Sequence, residues 1–266
     1  MINVIFTLES GQIFLYKKNK NWHIVNGSDI IITSDDLKVF KSYNNMTPEY
    51  LFRLDDDIEF IKKSINKDNI INYAINKLEG LRIIRQDPFQ CLISFICATN
   101  ANIPRIKYML NNILKFGNKI EWEGMVFRLF PEPKILANVS INELVNCGLG
   151  YRAKYVKEAS YITNNGLDLE ALKYIGYERA KEELMSIKGI GNKVADCILL
   201  FALEYLDAFP IDRWIFKILK QYYNINEERL TDKVYNNISV VMRNYFGRYA
   251  GYAQQYLYTA RKLMLY

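Results

Sequence analysis

The sequence predicts an α+β protein in which a small N-terminal antiparallel β domain packs on a larger all-α part. Three observations carry this. From Asn3 to about Lys41, short apolar runs alternate with turn-rich polar stretches. After Pro48 the apolar residues fall three and four apart, and they do so to the C-terminus apart from short breaks. No internal repeat or low-complexity linker separates the two regimes, so sheet and helices are expected to pack directly. The 266 residues, 50% of them hydrophobic, suffice for a large core or for two fused domains of ordinary size. The division expected is 1–80 for the β domain and 81–266 for the helical domain.

Strands are expected at the runs Val4 to Phe6, Ile13 to Tyr16, Trp22 to Val25, Ile30 to Ile32 and Val39 to Phe40. Asn26-Gly27 lies between two of them and signals a tight hairpin, because both residues tolerate positive φ. Gly11 lies at another turn, between the first two runs. Helices are predicted over Pro88 to Ala98, Ile103 to Phe116, Ala153 to Asn164, Tyr177 to Ser186, Lys193 to Tyr205, Arg213 to Tyr223, Asp232 to Tyr245 and Tyr252 to Leu263.

Composition narrows the chemistry more by exclusion than by assertion. The formal charge of +6 and pI near 8.9 permit a polyanionic partner. The abundance of Asn, Ile, Lys and Tyr points to AT-rich coding, so part of the lysine excess carries no functional information. Met1 to Phe6 is too short and uncharged for a signal peptide, and no apolar stretch reaches the roughly 18 residues that span a bilayer. The expected location is the cytoplasm of a prokaryote, in association with the nucleoid, with no membrane partner. Cys91, Cys97, Cys147 and Cys197 lack the spacing of zinc or iron–sulfur sites, so reduced, mostly buried thiols and no metal site are expected. His23 is the only histidine, which rules against Ser-His-Asp catalysis. The chemistry must come from Lys, carboxylates, Tyr or Cys.

Leu184 to Ala195 reads helix, glycine turn, helix, with Gly189-Ile190-Gly191 at the turn. Such a turn can simply join two helices. It can also bring the N–H groups that open the second helix up to a phosphate, where the helix dipole favours an anion. Lys193 follows directly at that N-terminus. The dipole and partial burial would let its ammonium lose a proton more easily than an ordinary lysine, as a nucleophilic amine requires; the alternative is a solvated lysine touching a phosphate. Asp212, in Phe209-Pro210-Ile211-Asp212, precedes an amphipathic helix and suits an N-cap, a role compatible with stabilising positive charge on a reacting sugar.

With Lys193 and Asp212 so placed about the hairpin, the chain resembles the helix-hairpin-helix DNA glycosylases. More narrowly, it resembles the 8-oxoguanine DNA glycosylase/AP lyases of the eukaryotic type. The resemblance covers nearly the whole chain and rests on six segments: Ser10-Gly11-Gln12-X-Phe14, Leu81-Arg82-X-X-Arg85-Gln86-Asp87-Pro88, Ser94-Phe95-Ile96-Cys97, Gly148-Leu149-Gly150-Tyr151-Arg152-Ala153, Lys193-Val194-Ala195-Asp196-Cys197 and Tyr249-Ala250-Gly251-Tyr252-Ala253-Gln254.

The resemblance implies a TBP-like β domain joined to a helical helix-hairpin-helix domain, and excision of 8-oxoguanine opposite cytosine followed by strand cleavage through β-elimination. It implies a partner, double-stranded DNA containing 8-oxoguanine, and a protein that works as a monomer without a cofactor. By resemblance Lys193 is the Schiff-base nucleophile and Asp212 the catalytic carboxylate. Gly11 offers its carbonyl to the N7 proton that distinguishes 8-oxoguanine from guanine. Gln254 bonds the base's pairing edge, and Cys197 and Tyr258 face the two sides of the flipped ring. Asn100, Arg105, Tyr151 and Arg152 fill the vacated stack and hold the widowed cytosine, whose acceptors suit donor-only arginines. Lys188, Gly189 and Gly191 meet a DNA phosphate.

The chain departs from the family at Lys188, where proline is usual, at Trp214, where a phosphate-contacting histidine is common, at Tyr258, where phenylalanine is usual, and in a shorter N-terminal region. Two other readings compete. A glycosylase for alkylated or mismatched bases fits poorly with Lys193 and with the cysteine spacing. A non-catalytic DNA-binding module leaves the pairing of Lys193 with Asp212 without a purpose.

Overall fold

The structure is a computed structural model that describes residues 2–265, Met1 and Tyr266 lying outside the described residues. Its first element is a helix, α1 (Val4–Glu9), where the sequence predicts a strand. Asn3 decides this locally: its side chain accepts from Phe6 N at 2.9 Å, the N-cap bond that starts a helix. Val4, Thr7 and Leu8 then fall on one buried stripe, a spacing that the short run Val4 to Phe6 did not reveal.

Four strands follow in a single antiparallel sheet with the order β1 (Tyr16–Lys18), β2 (Trp22–Asn26), β3 (Asp29–Thr33) and β4 (Phe40–Ser42). The ladder between the first two starts only at Tyr16, paired with Ile24, so the expected run from Ile13 is largely a buried approach segment. The β2–β3 hairpin turns at Asn26-Gly27 as predicted. Gly27 alone takes the positive φ, at 63°, while Asn26 stays in the strand opposite Asp29.

The helical part comprises α2 (Pro48–Leu51), α3 (Ile58–Ile65), α4 (Asn69–Lys77), α5 (Pro88–Ala98), α6 (Ile103–Ile113), α7 (Pro133–Asn138), α8 (Ile141–Leu144), α9 (Arg152–Asn164), α10 (Tyr177–Met185), α11 (Asn192–Ala202), α12 (Arg213–Tyr222), α13 (Asp232–Phe246) and α14 (Ala250–Met264). Side-chain caps fix several starts. Asp87 accepts from Gln90 N at 2.7 Å, Asn102 from Arg105 N at 2.9 Å and Thr231 from Val234 N at 3.3 Å, each worth about 1 kcal/mol.

A two-stranded hairpin, β5 (Lys119–Trp122) and β6 (Met125–Arg128), interrupts the stretch predicted to be helical. Its turn, Glu123-Gly124, is left-handed at both residues, and the strands alternate over only four positions each, too few to register against the helical pattern around them. The hairpin lies against the N-terminal sheet. Phe127 packs on His23 and Trp122 on Tyr43, while Phe130 N donates to Gly27 O at 2.9 Å.

α5 organises the molecule. Residues Pro88 to Cys97 are all buried, as an all-round apolar sequence demands of a central helix. It packs on α6, α9 and α11, and Gln90 ties it to the sheet by accepting from Gly27 N at 2.8 Å and donating to Val25 O at 2.8 Å. No described helix is long and apolar enough to cross a membrane.

Candidate active site

The turn between α10 and α11 is a helix-hairpin-helix. Gly189 holds φ at 92°, and a Cβ there would come within 2.5 Å of the Tyr155 ring on α9, so only glycine lets the turn lie against that helix. Gly191 is the N-cap of α11, extended, exposed and with open space where a side chain would stand. No side chain caps α11, which leaves its first N–H groups for an anion. Lys188 is exposed at the same turn.

Lys193, the second residue of α11, is part-buried, with Nζ 5.0 Å from the centre of the Phe95 ring on α5. Burial pulls its pKa down, but the Cys197 sulfur, the Asp212 carboxylate and the Tyr258 oxygen act the other way and leave it above the ordinary lysine value. This corrects the expectation of an easily deprotonated amine: the site holds an ammonium. Burial pushes the Cys197 thiol up to about 11 and raises the Tyr258 phenol.

Asp212 is the N-cap of α12. Both cap bonds, from Trp214 N and Ile215 N at 2.9 Å each, fall on Oδ1, so the capping and the open carboxylate oxygen, Oδ2, are separate.

The two ends of the chain meet beside this pair. Gly11 has φ 81°, and a Cβ on it would stand 3.0 Å from Tyr258 Cε1 and 3.3 Å from the phenol oxygen. Gln12, fully buried, pins the loop: its Nε2 donates to Thr7 O and Arg82 O, and its Oε1 accepts from Ile84 N at 2.7 Å. Gln255 on α14 donates to Ser10 O at 3.1 Å from the other side. Gln254 and Tyr258 share one face of α14, as Lys193 and Cys197 share one face of α11. Gln254 is buried with Nε2 donating to Pro210 O at 3.0 Å, while its buried Oε1 has no partner and so offers an acceptor. Arg261, absent from the sequence reading, lays its guanidinium over the Tyr258 ring, 4.0 Å from the centre, and donates to Tyr258 O at 2.6 Å. Its spacing of three from Tyr258 on a helix was the available signal.

Asn100, Arg105, Tyr151 and Arg152 also come together, where the end of α5 meets the starts of α6 and α9. Asn100 is exposed with φ 50°, a conformation asparagine tolerates. Arg152 is buried, and its donors are taken by backbone carbonyls, Thr99 O from Nε at 3.0 Å and from Nη2, and Leu149 O from Nη1 at 3.4 Å. It thereby shapes the turn that presents Asn100. Arg105 is exposed and makes one hydrogen bond, to Gly148 O at 2.6 Å. The exposed Tyr151 ring lies beneath the Arg152 guanidinium at 4.5 Å and edge-on to Tyr155, which touches Gly189. Tyr151 and Arg152 thus stand at the start of α9, the helix whose Tyr155 lies against Gly189 of the hairpin.

Beneath the site lies a buried polar network that the sequence reading did not assign. Asp196, fully buried on α11, accepts from Tyr177 at 2.5 Å, Tyr235 at 2.6 Å and Lys181 at 3.2 Å. Removing Asp196 would strand the buried Lys181 ammonium and cost about 3–5 kcal/mol. Burial and the neighbouring carboxylate keep the Tyr235 phenol well above its ordinary pKa, so it stays a donor to Asp196.

Comparison with known proteins places these features in a family. Residues 93–243 match the HhH-GPD superfamily base excision DNA repair proteins, and residues 2–92 match the N-terminal domain of 8-oxoguanine DNA glycosylase. A probable N-glycosylase/DNA lyase of Methanothermobacter thermautotrophicus is 32% identical over 234 residues, covering 79% of this chain and 72% of that protein. The N-glycosylase/DNA lyase of Saccharomyces cerevisiae is 31% identical over 240 residues, 78% of this chain, which spans 64% of the yeast protein's length. The Clostridium acetobutylicum 8-oxoguanine glycosylase/lyase, solved with double-stranded DNA containing cytosine opposite 8-oxoG, matches with a TM-score of 0.88 at 32% identity, over 99% of this chain and 93% of that one.

Proposed function

The chain belongs to the HhH-GPD superfamily of base excision DNA repair proteins, in its 8-oxoguanine DNA glycosylase/lyase branch, and on that basis we propose that it acts as a monomer, flips 8-oxoguanine out of duplex DNA opposite cytosine, excises it through Lys193 and nicks the strand. One observation carries this reading. Gly11 from one end of the chain and Tyr258 from the other meet next to the helix that bears Lys193 and Cys197, with Asp212 close enough to act on the Lys193 charge.

In this mechanism Lys193 Nζ attacks the sugar C1′ as the C1′–N9 bond breaks. The proton that the ammonium gives up and the electron pair of the broken bond both end on the departing base. Asp212 stays a carboxylate and offsets the positive charge that grows on the sugar. The ring-opened sugar then forms an imine with Nζ. Loss of a C2′ proton expels the 3′ phosphate, and water releases the lysine. Selectivity arises earlier, when the Gly11 carbonyl accepts from N7–H of 8-oxoguanine and would meet a lone pair on guanine. Gln254 Oε1, lacking a partner in the structure, suits the donors of the purine's pairing edge.

Opposite the lesion, Arg105 has donors to spare, whereas Arg152 must turn from the Thr99 carbonyl to reach a base. Single-turnover excision of 8-oxoguanine paired in turn with each of the four bases tests the proposal. Cytosine should give the fastest release, by about tenfold or more over adenine, a difference of some 1.4 kcal/mol. Equal rates with all four partners would remove the arginines from the discrimination, and no release from any duplex would overturn the function.

Gly11→Ala tests the lesion reader. Left-handed backbone at an alanine costs about 1–2 kcal/mol, and the added methyl presses on Tyr258. Thermal unfolding should show a modest loss of stability, while excision falls by far more than that loss explains. A variant with normal excision would take the Gly11 carbonyl out of recognition.

A further inference from the structure

The peptide unit that joins Pro210 to Ile211, immediately before Asp212, is gripped at both ends. Its carbonyl accepts from Gln254 Nε2 at 3.0 Å, and its N–H donates to the Tyr235 hydroxyl at 3.2 Å. Tyr235, on α13, is itself buried and donates to Asp196 Oδ2 at 2.6 Å. Asp196 lies three residues beyond Lys193 on α11, one turn along the helix that carries the amine. A continuous path of buried hydrogen bonds therefore runs from the helix of the nucleophile to the residue before the carboxylate.

We propose that Tyr235 is a positioning residue that fixes Asp212 relative to Lys193, by tying the Pro210–Ile211 peptide to Asp196 on the nucleophile's own helix. Gln254 ties the same peptide to α14, but among the described residues only the Tyr235 hydroxyl links it by hydrogen bonds to α11. The cap bonds of Asp212 to Trp214 N and Ile215 N hold it to α12 only, and α12 would carry it along if it shifted against α11. The single hydroxyl of Tyr235 supplies the cross-link, accepting from one element and donating to the other. This rests on the proposed reaction, in which a small displacement between amine and carboxylate is costly because the charge on the sugar develops between them.

The test compares two phenols on the same carboxylate. Tyr177 donates to Asp196 Oδ1 at 2.5 Å but has no bond to the segment before Asp212. Tyr235→Phe and Tyr177→Phe each remove one buried donor from Asp196 and should lower thermal stability comparably. In single-turnover excision, Tyr235→Phe should be slower than wild type by about ten- to a hundredfold, whereas Tyr177→Phe should stay within about twofold. Affinity for duplex DNA carrying an uncleavable abasic analogue should be unchanged in both, which separates positioning from general damage to the fold. Equal losses of rate in the two variants, no loss in either, or a loss of affinity that matches the loss of rate in Tyr235→Phe would overturn the proposal. A wild-type protein inactive on the lesion would instead overturn the function on which it rests.

Discussion

Lys193→Gln should give no borohydride-trapped adduct and no strand nick on duplex DNA containing 8-oxoguanine, and base release should fall by at least about a thousandfold. Glutamine is one atom shorter than lysine but keeps a polar end near Phe95 and Cys197, and its amide nitrogen has no lone pair free to attack C1′. The variant should still fold. It removes a part-buried ammonium that folding favours on balance, so the unfolding temperature should fall only modestly. That combination, a stable protein with neither chemical step, separates loss of the nucleophile from loss of structure. Retained nicking would mean that another amine forms the imine.

Asp212→Asn should cut excision by about a hundred- to a thousandfold while leaving reaction with a preformed abasic site far less affected. The carboxylate has two jobs, and this substitution divides them. Asparagine caps helices about as well as aspartate, so the bonds to Trp214 N and Ile215 N should survive and α12 should stay in place. What disappears is the negative charge that offsets the developing sugar cation, which is needed only while the glycosidic bond breaks. An abasic site has no such bond. Losing Asp212 also removes one of the influences that hold the Lys193 ammonium above its ordinary pKa, so the amine should become more available. Asp212→Ala should add a loss of about 1 kcal/mol of stability through the missing cap. Equal losses on the two substrates would assign Asp212 to imine formation instead.

The fold was legible where the pattern is long and local. The helix over Pro88 to Ala98 and those bearing Lys193, Asp212 and Gln254 follow from apolar spacing and turn chemistry, and their observed bounds agree to within a few residues. The failures are short elements. Val4 to Phe6 reads as a strand because three apolar residues carry no period, and the Asn3 cap that makes it a helix is a single hydrogen bond. The β5–β6 hairpin shows four-residue alternations beside a Glu-Gly turn, and its packing on His23 and Tyr43 connects positions some eighty to a hundred residues apart.

The candidate site divides in the same way. The i, i+4 pairs on α11 and α14 are visible in sequence because helices make spacing into geometry. That Gly11 abuts Tyr258 is not visible, since nothing local encodes a contact between the two ends of the chain. The Asp196 network is hidden for the same reason, its phenols lying 19 residues before and 39 after the carboxylate. Helix dipole and burial can be read from position and suggest a lowered Lys193 pKa, whereas the opposing influences of Cys197 and Asp212 depend on how closely folding sets them beside the amine. Arg152 was expected to face a base, and its carbonyl partners at Thr99 and Leu149 emerge only from how α9 meets α5.

The most direct measurement is borohydride trapping on duplex DNA with 8-oxoguanine opposite cytosine, followed by protease digestion and mass spectrometry of the covalent peptide. A single modified residue at Lys193 is expected, formed at the pace of base release. Modification at Lys188, Lys181 or any other lysine, or base release without a trappable adduct, would contradict the assignment of Lys193 as the nucleophile that both excises the base and opens the strand.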